Sequence, residues 1–112
     1  MSHQVIGAFI NDSIELECRC QGNPSPKVHW LTPFGHVIVR STNKYKIKVE
    51  YTNEMIKMKL FISNLNSNDF GMYKCYAVNR LGQREGVLRL FILNKKSKSI
   101  KLKIILLIIK LI

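Results

Sequence analysis

Apolar and polar residues alternate along much of the chain. "SIELEC" (13–18) puts Ile14, Leu16 and Cys18 on one face and the two glutamates on the other, the period of two expected of a half-buried strand. Cys20 has the same parity and is expected to point inward. "QGNPSP" (21–26) is dense in turn residues and ends that strand. "KVHWL" then sets Val28 and Trp30 against His29 and Leu31, and "TPFG" turns the chain again. "HVIVR" and "KYKIKV" each predict a short strand. "MKLFI" aligns Met58, Leu60 and Ile62 on one face. After the loop "SNLNSNDFG" come the strand "MYKCYAV", the hairpin turn "NRLGQ" and a last strand, "EGVLRLFIL". Seven to eight short strands with frequent turns, and no amphipathic helix before residue 95, predict an all-β fold. A two-sheet sandwich is favoured over a barrel.

The 112 residues amount to one domain with a modest core. The formal charge of +11 raises the question of a polyanionic partner. Lys95, Lys96, Lys98, Lys101, Lys103 and Lys110 lie in residues 95–112, which hold no acid, so over half of the excess belongs to a short tail. We divide the chain into a domain, 1–94, and a basic, apolar tail, 95–112. Charge alone does not make the domain a nucleic-acid binder. The alternating Lys residues around Tyr45, Ile47 and Val49 are read as a solvated sheet face over a buried one.

Cys18, Cys20 and Cys75 cannot all pair internally, and either of the first two is spaced for a long loop closed on Cys75. A disulfide implies an oxidising compartment. "MSHQ" is followed by no apolar signal segment, so the expectation is a piece of a longer secreted chain, or a gene model missing its front. In a sandwich, cysteines from opposite sheets can meet across a core about 10 Å thick, with a large ring beside the bridge. Trp30 is the candidate ring. Tyr73, two residues before Cys75, has a phenol that can return to the loop backbone. Asp69 can cap loop amides or pair with a base such as Lys44. Gly71 permits a sharp entry into the strand, and Gly82 a positive φ in the hairpin.

The order Asp69-x-Gly71-x-Tyr73-x-Cys75, taken with Cys18 and Trp30, resembles the immunoglobulin superfamily. "LECRCQGNPSPKVHW" and "MKLFISNLNSNDFGMYKCYAVNRLGQREGVLRL" are similar to an I-set domain. More narrowly, "GHVI", "KY" and "DFGMYKCYAVNRLG" resemble the third, membrane-proximal domain of the lachesin, DIP and IgLON adhesion proteins, over about Val5 to Leu93. The resemblance implies an I-set Greek-key sandwich with a Cys18–Cys75 disulfide. It also implies Trp30, Leu60 and Tyr73 in the core and Asp69 and Gly71 at the corner. Cys20 departs from the pattern and is read as a spare buried thiol. The implied role is a non-catalytic spacer on the extracellular side of the cell membrane, whose longer protein has immunoglobulin-superfamily partners. The competing role is a module of a matrix protein, or of a receptor with a cytoplasmic enzyme.

Other chemistry finds little support. Cys18-x-Cys20 with the scattered His3, His29 and His36 lacks the spacing of a zinc site. No nucleophile motif occurs, and no cofactor is expected. Asn11-Asp12-Ser13 is an N-glycosylation sequon. In the tail, "IKLKIILLIIKLI" is too short to span a bilayer and carries three lysines. A degraded lipid-anchor signal, a truncated span or a spurious extension would each account for it. Only through that tail, or an anchor, is a membrane contact expected.

Overall fold

A computed structural model describes residues 3–53 and 55–93. The expectations for residues 95–112 lie outside the described residues. The strands are β1 (His3–Ala8), β2 (Ile14–Gln21), β3 (Lys27–Leu31), β4 (Val37–Ile38), β5 (Tyr45–Thr52), β6 (Met55–Ile62), β7 (Gly71–Asn79) and β8 (Gly82–Ile92). They form a five-stranded sheet, ordered β1-β8-β7-β3-β4, and a three-stranded sheet, ordered β2-β6-β5. The chain crosses between sheets after β1, β2, β4 and β6. This winding lets strands distant in sequence share one core.

Strand β6 shows how the pattern becomes a layer. Ile56, Met58, Leu60 and Ile62 are buried, while Met55, Lys57, Lys59 and Phe61 face outward and are half-buried. Strand β2 pairs along its whole length with β6 and turns Leu16, Cys18 and Cys20 inward. From the opposite sheet Trp30, Tyr73, Cys75, Ala77, Leu88 and Leu90 complete the core. Burying an aliphatic side chain of this size contributes about 1.5–3 kcal/mol.

Three elements differ from the sequence reading. Strand β1 precedes the first strand expected and pairs parallel with β8. Its contrast between faces is weak because it is an edge strand packed through Gly7. A Cβ there would stand 2.8 Å from the tip of the Phe91 ring, so a larger residue would require that ring to shift. Of "HVIVR", only Val37–Ile38 pairs. Ile38 lies opposite Trp30 and fills the core, whereas Val39 is 82% exposed. Finally, β7 and β8 consume most of the expected hairpin, with Asn79 paired to Gly82 and only Arg80 and Leu81 left to turn.

Candidate functional site: the bridge and the corner of β7

Strands β2 and β7 lie in different sheets and present Cys18 and Cys75 to each other. The two are joined by a disulfide with a Cα–Cα distance of 6.6 Å. Trp30 on β3 is the register partner of Cys75 and is 1% exposed, which places its ring in the layer of the bridge. Its indole Nε1 has no hydrogen-bond acceptor among the described residues. Cys20 is free and buried. Burial pushes its thiol pKa up, so the nucleophilic thiolate is disfavoured. This chemistry is that of an inert packing group.

The corner is built by the segment before β7. Asn66 caps a single 3-10 turn, Ser67–Asp69. Its side-chain Oδ1 accepts from the Asn68 amide at 2.9 Å, while the Asn66 amide donates to Asp69 Oδ2 at 2.8 Å. The same carboxylate oxygen meets Lys44 Nζ, and Lys44 also donates to the Asn64 carbonyl at 2.9 Å. Asp69 therefore both caps the turn and ties it to the start of β5. The two roles are compatible because a carboxylate accepts several hydrogen bonds at once.

Tyr73 returns to the corner from the strand. Its hydroxyl donates to the Asp69 carbonyl at 2.6 Å inside the core. Burial, then the neighbouring Tyr45 and Asp69, holds the Tyr73 phenol far above the ordinary value of 10.0. The phenol is therefore neutral at physiological pH. A raised pKa means that its stabilising contribution is fully present below pH 10.0 and is lost at higher pH, as the unfolded chain releases the proton. Gly71 has φ +138, and a Cβ there would sit 2.9 Å from Pro33 Cβ. Both the backbone angle and the close approach require glycine. We expect Tyr73→Phe to cost about 1–3 kcal/mol by stranding the Asp69 carbonyl. Thermal melts measure this, and an unchanged Tm would contradict it.

The remaining expected residues lie apart from this assembly. Asn11 is exposed in the turn between β1 and β2, with φ +75, and its amide donates to the Leu65 carbonyl at 2.7 Å. Leu31 and Tyr76 face outward as strand parity requires, yet both are half-buried. The Tyr76 ring stacks on His29 with centroids 5.1 Å apart. Sequence reasoning missed Leu65, which is fully buried in the loop, and the capping role of Asn66. The Asn66-x-x-Asp69 spacing, a capping-box pattern, was the available signal.

Among the described residues no group of three His, Cys, Asp or Glu is placed to hold a metal ion. None of their helices is long and apolar enough to cross a membrane.

A family model, the immunoglobulin I-set domain, matches residues 3–92. The chain is 33% identical over 82 residues to neural cell adhesion molecule L1 of Takifugu rubripes, covering 73% of this chain and 6% of that protein. It is 32% identical over 87 residues to protein amalgam of Drosophila melanogaster, covering 77% of this chain and 26% of that one. It thus spans a small part of each relative. Among solved structures, the complex of Dpr2 Ig1-Ig2 with DIP-Theta Ig1-Ig3 matches with a TM-score of 0.74 and 28% identity, over 80% of this chain and 30% of that one. These likenesses point to an adhesion or recognition module, extracellular or membrane-associated, rather than to an enzyme.

Proposed function

Because the chain belongs to the immunoglobulin I-set family, we propose that it is the membrane-proximal spacer of a lachesin-like adhesion protein. One observation carries this reading: the distinctive side chains are engaged in the fold. Cys18 and Cys75 are bonded to each other, Tyr73 to the corner, and Asp69 to the loop and Lys44. What they build is a rigid sandwich. Recognition then falls to other domains of the longer protein, whose partners are immunoglobulin-superfamily proteins on other cells. In an oxidising, extracellular setting the disulfide forms, and the exposed Asn11 carries a glycan. That glycan would stand at the end of the sandwich where the chain leaves it, since Ala8 pairs with Ile92.

The test expresses the longer protein on cells with this domain intact, or replaced by an unrelated I-set domain. Equal partner binding by the two is expected, together with a glycosidase-sensitive mass shift that Asn11→Gln abolishes. Loss of binding on replacement would overturn the spacer role. A missing mass shift would remove the glycan.

A further inference from the structure

The exposed face of the β5–β6 ribbon carries an arrangement that the spacer role does not use. Lys46 and Lys48 point outward from β5, and Lys57 and Lys59 from β6. The register places Lys48 directly opposite Lys59, with Lys46 and Lys57 one row away on either side. Strands are about 4.8 Å apart and alternate residues about 7 Å apart, so four ammonium groups crowd a short strip. Directly opposed like charges destabilise a sheet, and the fold carries that cost here.

Acids compensate it only in part. Lys48 pairs with Glu50 at 3.2 Å and Lys59 with Glu15 at 3.8 Å. Lys46 and Lys57 make no close ion pair among the described residues, although Glu50 stands opposite Lys57 in the register. The strip's field is felt by Glu50: a hydrogen bond from Lys48, then the charges of Lys59 and Lys57, hold its exposed carboxyl below the usual range.

The geometry points to a binding site for a linear sulfated polysaccharide of the glycosaminoglycan type, lying along β5 and β6. Three features favour this ligand. The four cations share one face of two strands paired along their whole length, which suits an extended chain with regularly repeated anions. Its cations are all lysines, point charges on flexible stems that adapt to a variable sulfation pattern. Glu15 and Glu17 on β2 stand beside Phe61 and Lys59. With Arg19 beside Lys57, β2 presents mixed charge, so the excess of cations runs lengthwise along β5 and β6. Strand β5 is also an edge. Ser41 and Thr42 cap the amides of Ile47 and Tyr45 there, at 2.9 Å and 3.1 Å. By alternation the amides of Val49 and Tyr51 face the same open edge and are available to sulfate oxygens. The choice among polyanions rests on the extracellular setting proposed above, where sulfated polysaccharides are the abundant polyanions.

The experiment uses the full chain and immobilised heparin oligosaccharide, with the dissociation constant measured over a range of salt. Neutralising three strip cations together (Lys46→Gln, Lys48→Gln and Lys57→Gln) is expected to weaken binding by roughly tenfold or more. The slope of log Kd against log salt should fall by about two to three, as fewer counterions are released. Removing as many cations from the tail, by Lys95→Gln, Lys96→Gln and Lys98→Gln, should leave that strip-dependent loss in place. If the triple strip variant fails to fold, Lys46→Glu, on an exposed position, takes its place and should also weaken binding. Equal binding by wild type and strip variants overturns the proposal. So does competition by single-stranded DNA or phosphatidylserine vesicles as effective, per charge, as the oligosaccharide. The assay is independent of where the chain resides, so its failure is distinguishable from failure of the extracellular reading, which the Asn11 glycan tests.

Discussion

Trp30→Ala is expected to lower the stability of the domain by about 3–5 kcal/mol. A small domain has only about 5–15 kcal/mol in total, so the variant should be largely unfolded or melt tens of degrees lower. The reason is position. Trp30 is 1% exposed and lies in register with Cys75 on one side and Ile38 on the other. Removing the ring leaves a cavity beside the bridge that the surrounding strands cannot close. Trp30→Phe separates packing from polarity. It retains an aromatic ring and removes an indole N–H that has no acceptor among the described residues, so it should lose clearly less than the alanine variant. Chemical denaturation reads both. A Trp30→Ala midpoint close to wild type would show that the ring is not a core element.

Loss of the bridge is the second large effect. Replacing Cys18 and Cys75 together with alanine should cost about 4 kcal/mol, because the disulfide closes a loop with a sequence separation of 57. Cys20→Ala should cost about 1 kcal/mol, the ordinary price of a small buried truncation. Peptide mapping of the non-reduced protein should recover a Cys18–Cys75 fragment with Cys20 unpaired. Recovery of a Cys20–Cys75 fragment would contradict the bridge seen here. A double variant as stable as wild type would show that the core holds without its covalent tie.

Much of this architecture was legible before any coordinates. The buried positions of β6 follow from strict alternation, as do those of β2 through Cys20. The spacing of Tyr73 from Cys75 fixed the parity that sends the phenol inward. Gly71 was readable as a turn glycine, although the Pro33 contact that also demands it was not. Asp69 had two candidate roles on paper and performs both, because one carboxylate oxygen reaches the Asn66 amide and Lys44 together.

What escaped sequence reasoning is what depends on neighbours. Strand β1 exists because β8 offers an edge for parallel pairing. Val39 and Arg40 share the composition of a strand, yet they leave the sheet once Ile38 has filled the core. Leu65 is buried in a loop without periodicity, anchored by its amide to the Asp12 carbonyl at 2.8 Å. The opposition of Lys48 and Lys59 follows from the β5–β6 register, which no single strand contains. Side-chain direction repeats every two residues along one strand, so local alternation encodes which face is buried. Which strands become neighbours, and in what register, is set by the closing of two sheets on one core, and only the tertiary structure decided it.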